Sequence, residues 1–189
     1  HINHEIILNS INKNKDIECY NSENICKIIS NYECLYPPTV NGICEILNYY
    51  NLKTEGKNIT IIGKSNIVGT PLSYILGNEH KYKGTITLCD KYTNNLKLHI
   101  ENADILIVAA GKHHLINKSF NINSNAVIID VGIHKIDDES KKCGYKIEGD
   151  VDFNYFNDKC SFITPVPGGV GPMTVYSLIF NVCKNANCL

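Results

Sequence analysis

Residues Ile59–Pro71, ITIIGKSNIVGTP, run from a block of strand formers through Gly63 to a second glycine and a proline that open a helix. Ile59 to Ile62 shows no polar alternation, so both faces of that strand are buried, as in a parallel sheet covered by helices on two sides. Gly63 permits a tight turn, and a helix beginning near Gly69 presents N–H groups and a dipole that favour an anion. The spacing follows neither G-x-G-x-x-G nor the Walker pattern. By itself the turn is therefore read equally well as a phosphate site or as a plain strand-to-helix connection.

Working outward, Thr85–Leu88, Ile105–Val108 and Val127–Ile129 repeat the same apolar pattern. Helices fit at Pro71–Leu76, at Asn95–Asn102 and, more weakly, at Lys118–Asn121. Further strands are expected at Tyr145–Gly149 and Ser161–Thr164, then a last helix from Pro172 to about Lys184, with proline where a missing N–H costs nothing. This alternation predicts an α/β fold with a doubly wound parallel sheet. Residues 1–50 read as helical instead. Ile2, Ile6, Ile7 and Ile11 mark a first helix over His4–Ile11, Ser22 caps a second to Ser30, and a third covers Gly42–Tyr50 after Pro37-Pro38-Thr39. This block is too small to build its own core and the chain does not start with methionine, so a preceding segment is expected.

With 43% hydrophobic and 20% charged residues the composition is that of a globular protein. A net charge of −1 offers no basic field to hold a nucleic acid. No apolar run approaches the ~20 residues that cross a bilayer, and His1–Ile7 lacks the features of a signal peptide, so no membrane partner is expected. The nine cysteines are odd in number and form no C-x-x-C pair, which favours reduced thiols in a cytosol-like compartment over disulfides or zinc. His113 and His114 are expected to point in different directions as rim residues, and no metal site is predicted.

A second dense segment is Phe162–Thr174, FITPVPGGVGPMT, where prolines stiffen a loop and Gly168, Gly169 and Gly171 allow close approach of a flat ligand or anion. It follows a strand, the functional edge of such sheets. Asp90 stands 21 positions after Gly69 (90 − 69), where an acidic residue can hold an adenosine ribose. Lys64 and Lys91 flank it and could pair with a 2′-phosphate, leaving NAD and NADP both open. Ala109-Ala110-Gly111 and Asp130-Val131-Gly132-Ile133 end intervening strands in small residues that let a dinucleotide lie across the tips.

Taken in order, Gly63–Pro71, Ala103–Gly111, Gly149-Asp150-Val151 and Thr164–Thr174 resemble the successive signatures of the methylenetetrahydrofolate dehydrogenase/cyclohydrolase family. The resemblance implies a Rossmann-like domain, NADP as cofactor (NAD possible), tetrahydrofolate derivatives as substrates, a homodimer and a cytoplasmic setting, with an organelle left open. It implies oxidation of 5,10-methylenetetrahydrofolate followed by hydrolysis of the methenyl product to 10-formyltetrahydrofolate. Residues 1–36 become the remnant of an N-terminal folate domain, 37–170 the cofactor domain, and 171–189 a helix returning toward the first.

Cofactor contacts are expected at Gly63, Lys64, Ser65, Ile67, Asp90, Lys91, Ala110, Gly111, Ile133 and Thr174, and folate contacts at Pro167, Gly168, Gly169, Val170, Gly171 and Glu18. The family's Tyr-x-x-x-Lys motif and Gln-Leu-Pro-Leu-Pro stretch are both expected to be absent from this chain, the resemblance starting just after them at His1-Ile2. No catalytic residue is thus expected in this chain, and the polypeptide alone is expected to be inactive.

Some positions depart from the family pattern. Lys-Asp-Val-Asp-Gly reads Lys15-Asp16-Ile17-Glu18-Cys19, which lengthens the pterin-binding carboxylate and replaces a glycine; Pro-Cys-Thr-Pro-x-Gly reads Pro37–Gly42; Lys64 stands where relatives carry arginine. Two other readings remain: a shikimate-type NAD(P) dehydrogenase, and a non-catalytic module that binds cofactor or dimerises.

Overall fold

The strand at the head of Ile59–Pro71 lies inside a five-stranded parallel sheet, seen in a computed structural model that describes residues 3–78 and 80–187. His1 and Ile2, where the resemblance and the first helical pattern begin, lie outside the described residues. In chain order come α1 (His4–Ser10), α2 (Ser22–Ile29), α3 (Pro38–Tyr49), β1 (Asn58–Ile62), α4 (Gly69–Leu76), β2 (Thr85–Cys89), α5 (Leu96–Glu101), β3 (Ile105–Val108) and β4 (Val127–Asp130). Then follow β5 (His134–Asp137), β6 (Tyr145–Glu148), α6 (Phe153–Phe156), β7 (Phe162–Ile163) and α7 (Val170–Asn185).

The sheet runs β2-β1-β3-β4-β7, every pair parallel, with Ile61 opposite Leu88 and Ile107, and Ile107 opposite Ile129. Successive strand residues face opposite sides. Ile59, Ile61, Ile105, Ile107 and Ile129 therefore pack with Val40, Ile43, Leu47 and Leu72 in one core. Ile62, Leu106, Val108 and Ile128 pack with Ile100, Ile116 and Phe156 in the other. Those two cores are why the central strands read as continuously apolar.

Helices α3 and α7 lie against the first core and cross closely at Gly42, where a side-chain carbon would come within 2.9 Å of the Met173 backbone. Asparagines on α7 reach back to the N-terminal block: Asn181 Nδ2 donates to the carbonyls of Ile17 (2.8 Å) and Tyr36 (2.9 Å), and Asn185 Nδ2 to that of Asn14 (3.0 Å).

Several expectations are corrected. Lys118–Asn121 is a turn rather than a helix. Tyr145–Gly149 does not join the parallel sheet: β6 pairs antiparallel with β5, a strand not foreseen, in a separate hairpin with His134 opposite Glu148. The short α6 was also not foreseen; Asp152 caps it by accepting the Tyr155 amide at 3.2 Å. Asn21, not Ser22, caps α2, its side chain taking the Glu23 amide at 2.9 Å. Helix α3 starts earlier, at Pro38, and Pro172 is the third residue of α7 rather than the first. Ile6 and Ile7 are exposed, so α1 does not bury the stripe its spacing suggests.

Candidate functional site

Because all five strands are parallel, the turns after β1, β3, β4 and β7 meet on one edge of the sheet. Gly63 sits there at φ +118°, and a side-chain carbon at this position would collide with the carbonyl of Ala109. Lys64, Ser65, Asn66 and Ile67 are exposed beyond it. Ser65 organises the turn: its hydroxyl accepts the Val68 amide at 3.2 Å and its carbonyl the Thr70 amide at 3.0 Å. Since Pro71 has no N–H, α4 offers fewer free donors to an anion than its glycine-rich start suggested. Charge comes from Lys64, whose Nζ lies 3.3 Å from Asp90 Oδ2.

Asp90 follows β2 and accepts the Tyr92 amide at 3.0 Å and the Thr93 hydroxyl at 3.2 Å. The Tyr92 amide foremost, with Lys64 and Thr93, holds its carboxyl below the usual range. Lys91 is exposed, its ammonium 4.9 Å from the centre of the Tyr92 ring. Lys64 and Asp90 thus lie together beside the turn after β1.

The strand tips are tied together by two buried aspartates that sequence reading left without a role. Asp150 Oδ2 accepts the amides of Ala110 (2.7 Å) and Gly111 (2.9 Å), while Oδ1 lies 2.7 Å from His134 Nε2. Asp130 Oδ1 accepts the amides of Gly132 (2.9 Å) and Asp150 (3.0 Å), and Oδ2 that of Val151 (2.9 Å). Burial pushes the Asp130 carboxyl up to about 6 against the pull of these amides. The available signal was an acidic residue set among glycines at the end of an apolar run.

Pro165 to Gly171 form the loop entering α7, with a cis bond between Val166 and Pro167. A hollow of about 150 Å³ lies between this loop and Gly132 and Ile133, so that Pro167–Gly171 and Ile133 line one space. Ile133 is 66% exposed, an apolar platform at a strand tip. A larger hollow of about 560 Å³ on the other flank is lined by Tyr49, Tyr50, Phe162, Gly168, Gly169 and Tyr176. The residues fit a nicotinamide dinucleotide: a backbone cradle at Gly63, a cation at Lys64, small residues at Ala110 and Gly111, and the flat apolar surface of Ile133.

Three other candidates lie around this centre. Ile67 faces a hollow shared with Tyr20 and Thr70, toward α2. The Thr174 hydroxyl lies 3.3 Å from that of Thr39 and 3.1 Å from the Val170 carbonyl, which joins α7 to α3. Glu18 is half-buried beside Tyr20, whose hydroxyl burial and the Glu18 charge push up to about 12. Cys19 takes the place of glycine at φ +59° while 1% exposed.

Contrary to expectation, the bare spacing Tyr-x-x-x-Lys does occur, at Tyr49–Lys53 and Tyr155–Lys159. Tyr49 and Lys53 open on different hollows, and Lys159 Nζ stacks 3.0 Å from the centre of the Tyr155 ring. His113 and His114 do not diverge as expected: their rings stack, centroids 3.9 Å apart.

Residues 37–188 match the family described as tetrahydrofolate dehydrogenase/cyclohydrolase, NAD(P)-binding domain. The bifunctional protein FolD of Wolinella succinogenes is 43% identical over 186 residues, covering 98% of this chain and 62% of that protein. The crystal structure of the bifunctional enzyme FolD from Campylobacter jejuni aligns with TM-score 0.89 and 39% identity, covering 100% of this chain and 64% of its own. The Trypanosoma brucei enzyme, complexed with NADP cofactor and inhibitor, aligns with TM-score 0.88 and 30% identity over 98% and 62%. A shikimate dehydrogenase from Aquifex aeolicus shares 12% identity at TM-score 0.55, a likeness of fold alone. The chain spans about three fifths of the length of the curated relatives it matches, 62% for the first of them.

Proposed function

Because this chain belongs to the tetrahydrofolate dehydrogenase/cyclohydrolase family, we propose that it forms the NADP-binding half and one wall of the folate cleft in an enzyme that oxidises 5,10-methylenetetrahydrofolate and hydrolyses the methenyl product to 10-formyltetrahydrofolate. The carrying observation is the joint arrangement of the Gly63 turn, the Ala110-Gly111 tip held by Asp150, and the Pro167–Gly171 loop across from Ile133, all on one sheet edge.

Gly63, Lys64 and Ser65 would hold the adenosine end, with Asp90 and Lys91 beside them and Ile67 at the rim. Ala110 and Gly111 would face the pyrophosphate, and Ile133 and Thr174 the nicotinamide end. Pro167, Gly168, Gly169, Val170 and Gly171 would line the folate side, with Glu18 as a carboxylate for the pterin. When bound, the cofactor accepts the hydride. This chain's residues position it and exclude water; the proton-transferring lysine belongs to a region the matched segments do not include. Residues 1–36 then form the edge of the folate domain, 37–170 the cofactor domain, and 171–189 the helix that ties the two. The protein acts in the cytoplasm as a homodimer in this reading.

Calorimetric titration with NADP and an assay of NADPH formation from methylenetetrahydrofolate test it on the purified chain. Binding without turnover is expected. No NADP binding would end the cofactor assignment, and turnover would end the claim that the catalytic group lies elsewhere. A hydrodynamic mass equal to one chain at micromolar concentration would refute the dimer.

A further inference from the structure

His113, His114 and Glu148 converge beside the strand tips in an arrangement that the cofactor reading does not use. Consecutive residues on extended backbone send their side chains to opposite sides. Here His114 adopts φ +47°, a left-handed conformation that L-residues adopt only when held there. It is pinned there by its amide donating to the Gly149 carbonyl at 3.3 Å and by its carbonyl accepting Asn117 Nδ2 at 3.0 Å. Both imidazoles consequently turn to the same side, stacked with planes 22° apart. Both present Nε2 to one carboxylate oxygen, Glu148 Oε2, at 2.6 Å from His113 and 3.5 Å from His114.

We propose that His113 Nε2, His114 Nε2 and Glu148 Oε2 bind a divalent transition-metal ion, with zinc the best match. The three ligand atoms lie within 4.8 Å of one another. Zinc–ligand bonds of about 2.0–2.2 Å place tetrahedral ligands about 3.4 Å apart. The His114–Glu148 spacing already meets this, and the His113–Glu148 contact needs to open by less than about 1 Å. Two imidazoles and one carboxylate suit zinc, copper, nickel or cobalt and not magnesium or calcium, which prefer all-oxygen sites.

The second oxygen of Glu148 is held by Lys146 Nζ at 2.7 Å, an outer contact of the kind that orients a ligating carboxylate. His134, whose ring lies 5.7 Å from that of His113, is engaged with Asp150 and stays outside the set. The histidine side chains are 36% and 32% exposed, so an ion can enter from solvent and keep water at its remaining position.

Zn²⁺ titration of the chain without a histidine tag, in competition with a chromophoric chelator, tests this, together with the visible spectrum of the Co²⁺ form. One ion per chain is expected, and His113→Ala, His114→Ala and Glu148→Gln should each weaken it by about tenfold or more with an unchanged far-UV spectrum. Three outcomes would overturn the proposal: no stoichiometric binding at micromolar Zn²⁺, an affinity indifferent to all three substitutions, or a cobalt–thiolate band implicating the exposed Cys26 or Cys143. Should a variant misfold, the imidazole proton resonances of the unaltered chain decide. Zn²⁺ must shift those of His113 and His114 more than that of His134, and equal or absent shifts refute the site.

Discussion

Lys64 and Asp90 face each other across the turn after β1, ammonium to carboxylate at 3.3 Å. The cation suited to a 2′-phosphate therefore already carries its own counter-ion, and an incoming phosphate must compete with a fixed negative charge. Removing that charge as Asp90→Asn is expected to tighten NADP binding about tenfold relative to NAD, near 1.4 kcal/mol. Lys64→Met should do the reverse. Dissociation constants for both dinucleotides check this, and equal shifts for the two would show that neither residue reads the phosphate.

Asp150 is wholly buried and serves two amides and one imidazole. Asp150→Ala strands those donors and is expected to cost about 3–5 kcal/mol in urea unfolding, as well as loosening the Ala110-Gly111 tip. Asp150→Asn, which retains one acceptor oxygen, should cost less. A loss below about 1 kcal/mol for the alanine variant would mean that the tip holds itself.

The Asp130 carboxyl titrates near 6 in the fold against an ordinary value of 3.8. Its contribution to stability is complete below the lower value and is lost as pH rises through the upper one. Between pH 5 and 7.5 this loss is about 1 kcal/mol. The urea midpoint of the protein should reflect it, whereas the difference should vanish in Asp130→Asn, which has no proton to lose. An identical pH slope in both proteins would remove Asp130 as its source.

Cys19 combines a left-handed backbone with a buried thiol that desolvation foremost pushes up to about 12. The backbone strain relieved by Cys19→Gly, roughly 1 kcal/mol, is similar to the packing given up, so that change should be nearly neutral. Cys19→Val adds a β-branch at positive φ and should cost about 2 kcal/mol or more. Thermal midpoints distinguish the two, and a tolerated valine would show that the backbone there is free to adjust.

The sheet was legible because strands buried on two faces must be largely apolar, which Ile105–Val108 displays without interruption and Ile59–Ile62 with one threonine, Thr60, whose hydroxyl donates to the His99 carbonyl. The hairpin was not. His134–Asp137 is half-exposed and sits among charged residues, so its alternation resembles a loop. Gly63, Lys64 and Asp90 followed from local turn chemistry. Asp130 and Asp150 matter chiefly through amides 20 to 40 residues away; an acid beside glycine marks the positions but does not announce those partners. The pairing of His113 with His114 depends on one dihedral angle at His114, which sequence spacing does not encode.

The asparagine bonds from α7 span 164 and 171 residues, from near the last element to the loop after the first helix. A ribosome delivers those ends far apart in time. The Asn14 and Ile17 carbonyls must wait for these partners until α7 has emerged. Of the two partners, the one made first is thus among the last to be locked in place, and during synthesis the Asn14–Ile17 loop is a stretch in need of shelter.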